Sequence, residues 1–98
     1  MSDGNVRIVR CYDNGLTVDR YTAVYLDREE LRGRMGIVYD CRAMSSRPFH
    51  PQGFGQMSTC TLGPHLGKRI AFEELPFDCQ RMVFRDRPPE VSLTIESV

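Results

Sequence analysis

No stretch of this sequence approaches the roughly 20 apolar residues that a helix needs to cross a bilayer. The opening Met1-Ser2-Asp3-Gly4 carries no apolar segment of a secretion signal either. Both absences predict a cytoplasmic protein without membrane contact. An excess of one charge is missing too: 13 basic and 13 acidic residues cancel. That excludes a global field for nucleic acid or a membrane surface, and equally the acidic surface of a DNA mimic. Lysine is almost absent, Lys68 standing against twelve Arg. Arg supplies a planar, bidentate donor fork for carboxylates, phosphates and aromatic faces, although a GC-rich coding genome is the simpler source of the bias. The cysteines, Cys11, Cys41, Cys60 and Cys79, form no CxxC pair, and His50 and His65 form no HxxxH pair. Zinc-site spacing is therefore lacking, and neither a metal nor a cofactor is expected. In a reducing compartment such cysteines serve as small buried hydrophobes rather than disulfides.

What is present is ordinary for one globular domain spanning 1–98: 98 residues, 41% apolar and 27% charged. The segment 6–12 is β-prone, and so is Leu16 to Leu26. Asp13-Asn14-Gly15 between them reads as a tight hairpin turn, because Asn-Gly readily takes positive φ. In the second strand Tyr21, Ala23 and Tyr25 alternate with Thr22, Val24 and Leu26, so both faces are partly apolar and a cover on each is expected. Asp27 to Gly33 reads as one helical turn, capped by Asp27 and ended by Gly33, or as a charged loop. Gly36 to Met44 alternates as a third strand, and Met57 to Leu62 is a fourth, ended by Gly63-Pro64.

Ser45 to Gln56 is unusual: Pro48 and Pro51 favour extended neighbours, and Gly53 and Gly55 permit backbone angles closed to other residues. This predicts an ordered loop with Gly53 or Gly55 at positive φ. Leu66 to Phe72 reads as an extended connection that buries Ile70 and Phe72. Pro76 suits the first turn of a helix to about Asp86, with Leu75, Cys79, Met82 and Val83 as its core stripe. Phe77 and Phe84 fall nearly opposite that stripe. Arg87-Pro88-Pro89 stops the helix, and the extension 87–98 alternates like a final strand. The fold expected is α+β: a four- to five-stranded, mainly antiparallel sheet with one principal helix (about 76–86) packed on one face.

Chemistry-bearing patterns are sparse. Cys41 or Cys60 could pair with His50 or His65 as nucleophile and base, yet both cysteines lie in alternating strands where packing is the default. Gly53-Phe54-Gly55 lacks Walker or dinucleotide spacing. Gly67 followed by Lys68 and Arg69 could present backbone N–H groups and charge to a phosphate, though surface charge beside a turn explains it as well. Aromatics near Arg make interaction hot spots. Phe49 and Phe54 are read as loop anchors, while Phe77 and Phe84 are either exposed or covered by the last strand.

Several motifs run in order along the chain: Cys11-Tyr12-Asp13-Asn14-Gly15, Pro48-Phe49-His50-Pro51-Gln52-Gly53-Phe54-Gly55-Gln56, His65-Leu66-Gly67-Lys68-Arg69-Ile70, and Leu75-Pro76 with Cys79-Gln80. Over residues 6–86 the chain resembles a family of small uncharacterised proteins from phages and bacterial mobile elements, for which no activity is established. Members of that family often place a further His near the position of Met57 and end soon after the helix. Met57 thus weakens a His-based site, and the tail from Arg87 looks like an addition of this chain. The resemblance implies a genomic setting in which small proteins act by binding a host protein. The function expected is a non-catalytic phage or mobile-element protein that binds a bacterial host protein, as an anti-CRISPR-like inhibitor of a defence system. Its binding residues are expected among Phe77, Gln80, Arg81, Phe84, His50, Phe54, Lys68 and Arg69. The alternatives are a small metal- or Cys/His-dependent hydrolase and a nucleic-acid or phosphate-binding accessory protein.

Overall fold

The computed structural model describes residues 7–15, 17–31, 36–86 and 93–95. Five strands, β1 (Arg7–Asp13), β2 (Tyr21–Leu31), β3 (Ile37–Met44), β4 (Gly55–Cys60) and β5 (Lys68–Ile70), pair antiparallel in the order β4-β3-β2-β1-β5. A sixth short strand, β6 (Leu93–Ile95), runs parallel to β1 beside Arg7–Val9. One helix, α1 (Phe77–Asp86), completes the α+β arrangement that the sequence predicts. Among the described residues no helix is long and apolar enough to cross a membrane.

The two-sided pattern of the second strand is explained by what lies on each face. Tyr21, Ala23 and Tyr25 join Val9, Cys11, Met44, Ile70 and Phe72 under the helix stripe of Leu75, Cys79, Met82 and Val83. On the other face Val24 packs with Tyr12, Cys41 and Leu66, with Leu26, Tyr39, Cys60 and Leu62 at the margin. All five residues from Tyr21 to Tyr25 are buried, as a central strand covered on both sides must be.

Four local expectations are corrected. The first hairpin is not tight: β2 begins at Tyr21, and a longer turn is closed by Asn14 N–H on Arg20 O (2.9 Å) and Thr17 Oγ1 on Asn14 Oδ1 (2.7 Å). Only part of the turn motif survives, with Gly15 at φ 100°. The helical turn from Asp27 is instead a continuation of β2 to Leu31, across an irregularity in the register between Tyr25 and Glu29; pairing with Ile37–Tyr39 outweighs the local capping pattern. Residues 32–33 of that expectation lie outside the described ones. β4 runs from Gly55 to Cys60 rather than from Met57 to Leu62. Finally, positive φ occurs among the described residues at Gly15, Gly36 and Gly67, not at Gly53 or Gly55.

The helix is fixed to the sheet at both ends. Near its start Cys79 Sγ donates to Ser45 O at 3.2 Å. At its end the carboxylate of Asp86, 5% exposed, receives Arg42 Nε at 2.9 Å, Arg42 Nη2, and the Tyr25 hydroxyl at 2.5 Å. A carboxylate at a helix C-terminus opposes the helix dipole, and the Arg42 guanidinium offsets that repulsion.

Candidate interaction surface

The loop between β3 and β4 is shaped by its own hydrogen bonds. Its neck closes where Ser45 N–H reaches Phe54 O (2.7 Å) and Phe54 N–H reaches Ser45 Oγ (2.9 Å). Within it His50 N–H donates to Arg47 O (3.1 Å) and Gly53 N–H to His50 O (2.8 Å). A Cβ on Gly53 would stand 1.8 Å from Arg47 O, so glycine is required there by a close backbone approach, not by φ. Gly55 lets Met82 Cε and Pro48 Cβ close in on the same spot, 3.1 and 3.3 Å from where a Cβ would be. The loop is thereby drawn over the helix side of the sheet.

This folding puts Phe49 under Arg81 of α1, with the guanidinium carbon 4.8 Å from the ring centroid. Arg81 also reaches Asp78 Oδ1 at 3.2 Å, and Phe77 lies one helical turn before it, on the same helix face. Phe77 is 73% exposed and Phe49 38% exposed. Phe49, expected to be a loop anchor, is thus an exposed ring stacked on a helix arginine. Together Phe49, Arg81 and Phe77 form an aromatic and cationic surface continuous across loop and helix.

Phe84 corrects the expectation for the helix pair. It is half-buried, packs against the core cluster and meets Phe72 edge to face, with ring centroids 5.5 Å apart and planes at 66°. The wheel angle placed it away from the stripe, but the 3-10 turn Phe72–Glu74 folds beside the helix and covers it. Gln80 is occupied internally: its Nε2 donates to Leu75 O (2.9 Å) and Glu73 O (3.4 Å), tying the helix entry. Phe54 is half-buried at the loop neck.

His50 lines an open concavity of about 270 Å³ with Ser45, Ser46, Arg47, Gln52 and Gly53. Gln52 N–H donates to His50 Nδ1 at 3.1 Å, so the neutral ring carries its proton on Nε2. With Arg47 and Ser46 that N–H makes the concavity a set of donors suited to a carboxylate or carbonyl of a partner.

Lys68 and Arg69 are not part of this surface. They belong to β5, four strand spacings from β4 or about 19 Å. Lys68 lies opposite Asp13 in the register, and Asp13 is already gripped by Arg20 at 2.8 and 3.0 Å. The Arg20 hydrogen bond holds the Asp13 carboxyl below its ordinary value, Lys68 adding to the effect.

The four cysteines are free thiols. Burial pushes Cys11 and Cys79 up to about 12, as packing residues would be. Cys41 and Cys60 meet each other: a thiol–thiol hydrogen bond raises Cys41, and burial adds to the rise, while the same bond lowers Cys60. The charged neighbours acting on Cys41 are Cys60 and Asp40, not a histidine. His50 sits in the β3–β4 loop and His65 in the 3-10 turn Pro64–Leu66, both exposed. Among the described residues no three His, Cys, Asp or Glu side chains group as metal ligands.

Compared with known families, curated proteins and solved structures, the chain matches none.

Proposed function

We propose that this chain is a non-catalytic interaction protein that binds a bacterial host protein through the outer face of α1 and the β3–β4 loop. The observation that carries the reading is the stacking of Arg81 on Phe49, with exposed Phe77 one turn away. Rings and guanidinium groups held in place by folded structure lose little freedom on binding, and they are the residue types enriched in hot spots. The donors of Arg47 and His50 beside Phe49 supply a polar rim. The family resemblance supports a phage or mobile-element setting, and with it a partner belonging to a host defence system, which the protein would inhibit.

The test is affinity purification of the tagged protein from a bacterial host lysate, repeated with Phe77→Ala, Phe49→Ala and Arg81→Ala. The expected result is a defence-system subunit captured by the wild type and by Lys68→Ala, but lost by the three surface variants. Capture that survives all three places binding elsewhere on the molecule. Failure to capture any partner, together with turnover of a small molecule by the purified protein, refutes the whole class.

A further inference from the structure

Cys41 lies in β3 and Cys60 in β4. In the antiparallel register Cys41 stands opposite Ser58 and Cys60 opposite Tyr39. The two cysteines are therefore diagonal neighbours on the same face, two residues offset across one ladder. Both belong to the smaller apolar cluster on the side away from the helix. Cys41 is buried, at 4% exposure, whereas Cys60 is only half-buried at the end of an edge strand. One thiol is thus reachable from solvent, and its neighbour waits behind it.

We propose that Cys60 and Cys41 form a thiol oxidation site, in which a hydroperoxide oxidises Cys60 and Cys41 resolves the product into a disulfide between β3 and β4. In the first step the Cys60 thiolate sulfur attacks the terminal oxygen of the peroxide; the O–O bond breaks, leaving a Cys60 sulfenic acid and an alcohol or water. In the second step the Cys41 sulfur attacks the Cys60 sulfur. The S–O bond breaks and hydroxide leaves, taking the Cys41 proton as water. Two thiols and one hydroperoxide thus give one disulfide, one alcohol (or water) and one further water.

The site favours this order. The hydrogen bond from the Cys41 thiol stabilises the Cys60 thiolate, and the thiolate is the reactive form. Cys41 keeps its proton until the sulfenic acid forms, after which the second step is intramolecular. A diagonal pair stands about 7–8 Å apart at Cα, roughly 1 Å beyond the usual reach of a disulfide. β4 is bonded to β3 only, among the described residues, and five of its six residues are exposed. Bridging the pair therefore requires β4 to shift by roughly that amount, and among the described residues only its strand pairing with β3 opposes the shift. Cys11, in the sheet beneath the helix, and Cys79, on the buried face of the helix, provide the internal control.

The experiment treats the reduced, full-length protein with hydrogen peroxide and maps its peptides without reduction. The expected product has lost two hydrogens and links the peptide of Cys41 to that of Cys60, reversibly with dithiothreitol. Cys41→Ser should stop at a sulfenic acid on Cys60 that is trapped by dimedone. Cys60→Ser should give neither product. In the untreated wild type, iodoacetamide should label Cys60 at least ~10-fold faster than Cys11 or Cys79. A wild type that accumulates sulfenic acid without the Cys41–Cys60 link, or that oxidises first at Cys11 or Cys79, overturns the proposal. The wild-type map decides the matter even if a serine variant folds poorly.

Discussion

Arg42 and Asp86, far apart in the chain, join the third strand to the last residue of the helix through two N–H groups on one carboxylate. Removing Asp86 takes the carboxylate from a half-buried guanidinium, which keeps a long contact, at 3.5 Å, to Gly55 O. Asp86→Ala is expected to cost about 3–5 kcal/mol, the range for breaking a buried pair from one side. Tyr25→Phe, which deletes only one donor, is expected to cost about 1–1.5 kcal/mol. Urea denaturation of both variants measures the difference, and equal losses would mean that the ion pair adds little beyond the hydroxyl.

Phe77 and Phe84, seven residues apart on one helix, should behave oppositely. Phe77→Ala removes an exposed ring and is expected to change stability by less than about 0.5 kcal/mol. Phe84→Ala removes the edge-to-face contact with Phe72 and part of the core cover, for an expected loss on the order of 2–3 kcal/mol. Thermal denaturation separates the two, and a destabilised Phe77→Ala would contradict its exposed position.

The glycines make a graded series. A Cβ at Gly67 would lie 2.4 Å from Asn14 Cα, at φ 95°, and one at Gly53 would lie 1.8 Å from Arg47 O. Alanine at either position is expected to cost more than about 1 kcal/mol, since backbone must move. Gly55→Ala meets the flexible end of Met82 and should cost less than either. Denaturation midpoints in the reverse order would reject this account of the loop.

Alkali should unfold the protein through its buried thiols. Below pH 9.0, the ordinary value, Cys11 and Cys79 are protonated in both folded and unfolded chains, and their contribution is complete. As pH rises above it the unfolded chain releases protons that the folded one retains until about 12, so stability falls across that window. Each thiol contributes a slope of up to about 1.4 kcal/mol per pH unit. Urea midpoints measured from neutral pH to pH 10 should show the decline, and Cys79→Ala should show a shallower one. A flat profile would mean that the thiols ionise in place.

Wherever one periodicity governed, the architecture was legible in the sequence. The alternation from Tyr21 to Leu26 announced a strand covered on both sides, and the spacing of Leu75, Cys79, Met82 and Val83 gave the buried helix face. Failures came where distant pairing overrode a local signal. Asp27 and Gly33 framed a helical turn, yet the ladder with β3 keeps that segment extended to Leu31. Gly53 was recognisable as special, but its reason, the carbonyl of Arg47 against its α-carbon, exists only in the folded loop. The candidate surface was half visible: Phe77 and Arg81 follow from helical spacing, whereas the joining of Phe49 to Arg81 depends on how the loop folds back. The Cys41–Cys60 contact depends on register, which no spacing in the chain reveals.

The far edge of β1 has a bearing on how the molecule is made. Cys11–Asp13 pair there with Lys68–Ile70, and Arg7–Val9 pair with Leu93–Ile95. Along a growing chain β1 is synthesised well before the segments that saturate its outer hydrogen bonds, which follow β4 in one case and α1 in the other. Until then β1 and β2 present an open ladder to their surroundings, the kind of edge on which nascent chains aggregate or chaperones act. Ribosome-stalled chains ending before Leu93 would keep the Arg7–Val9 half of that edge unsealed, so the sheet closes only after the whole of α1 has been made.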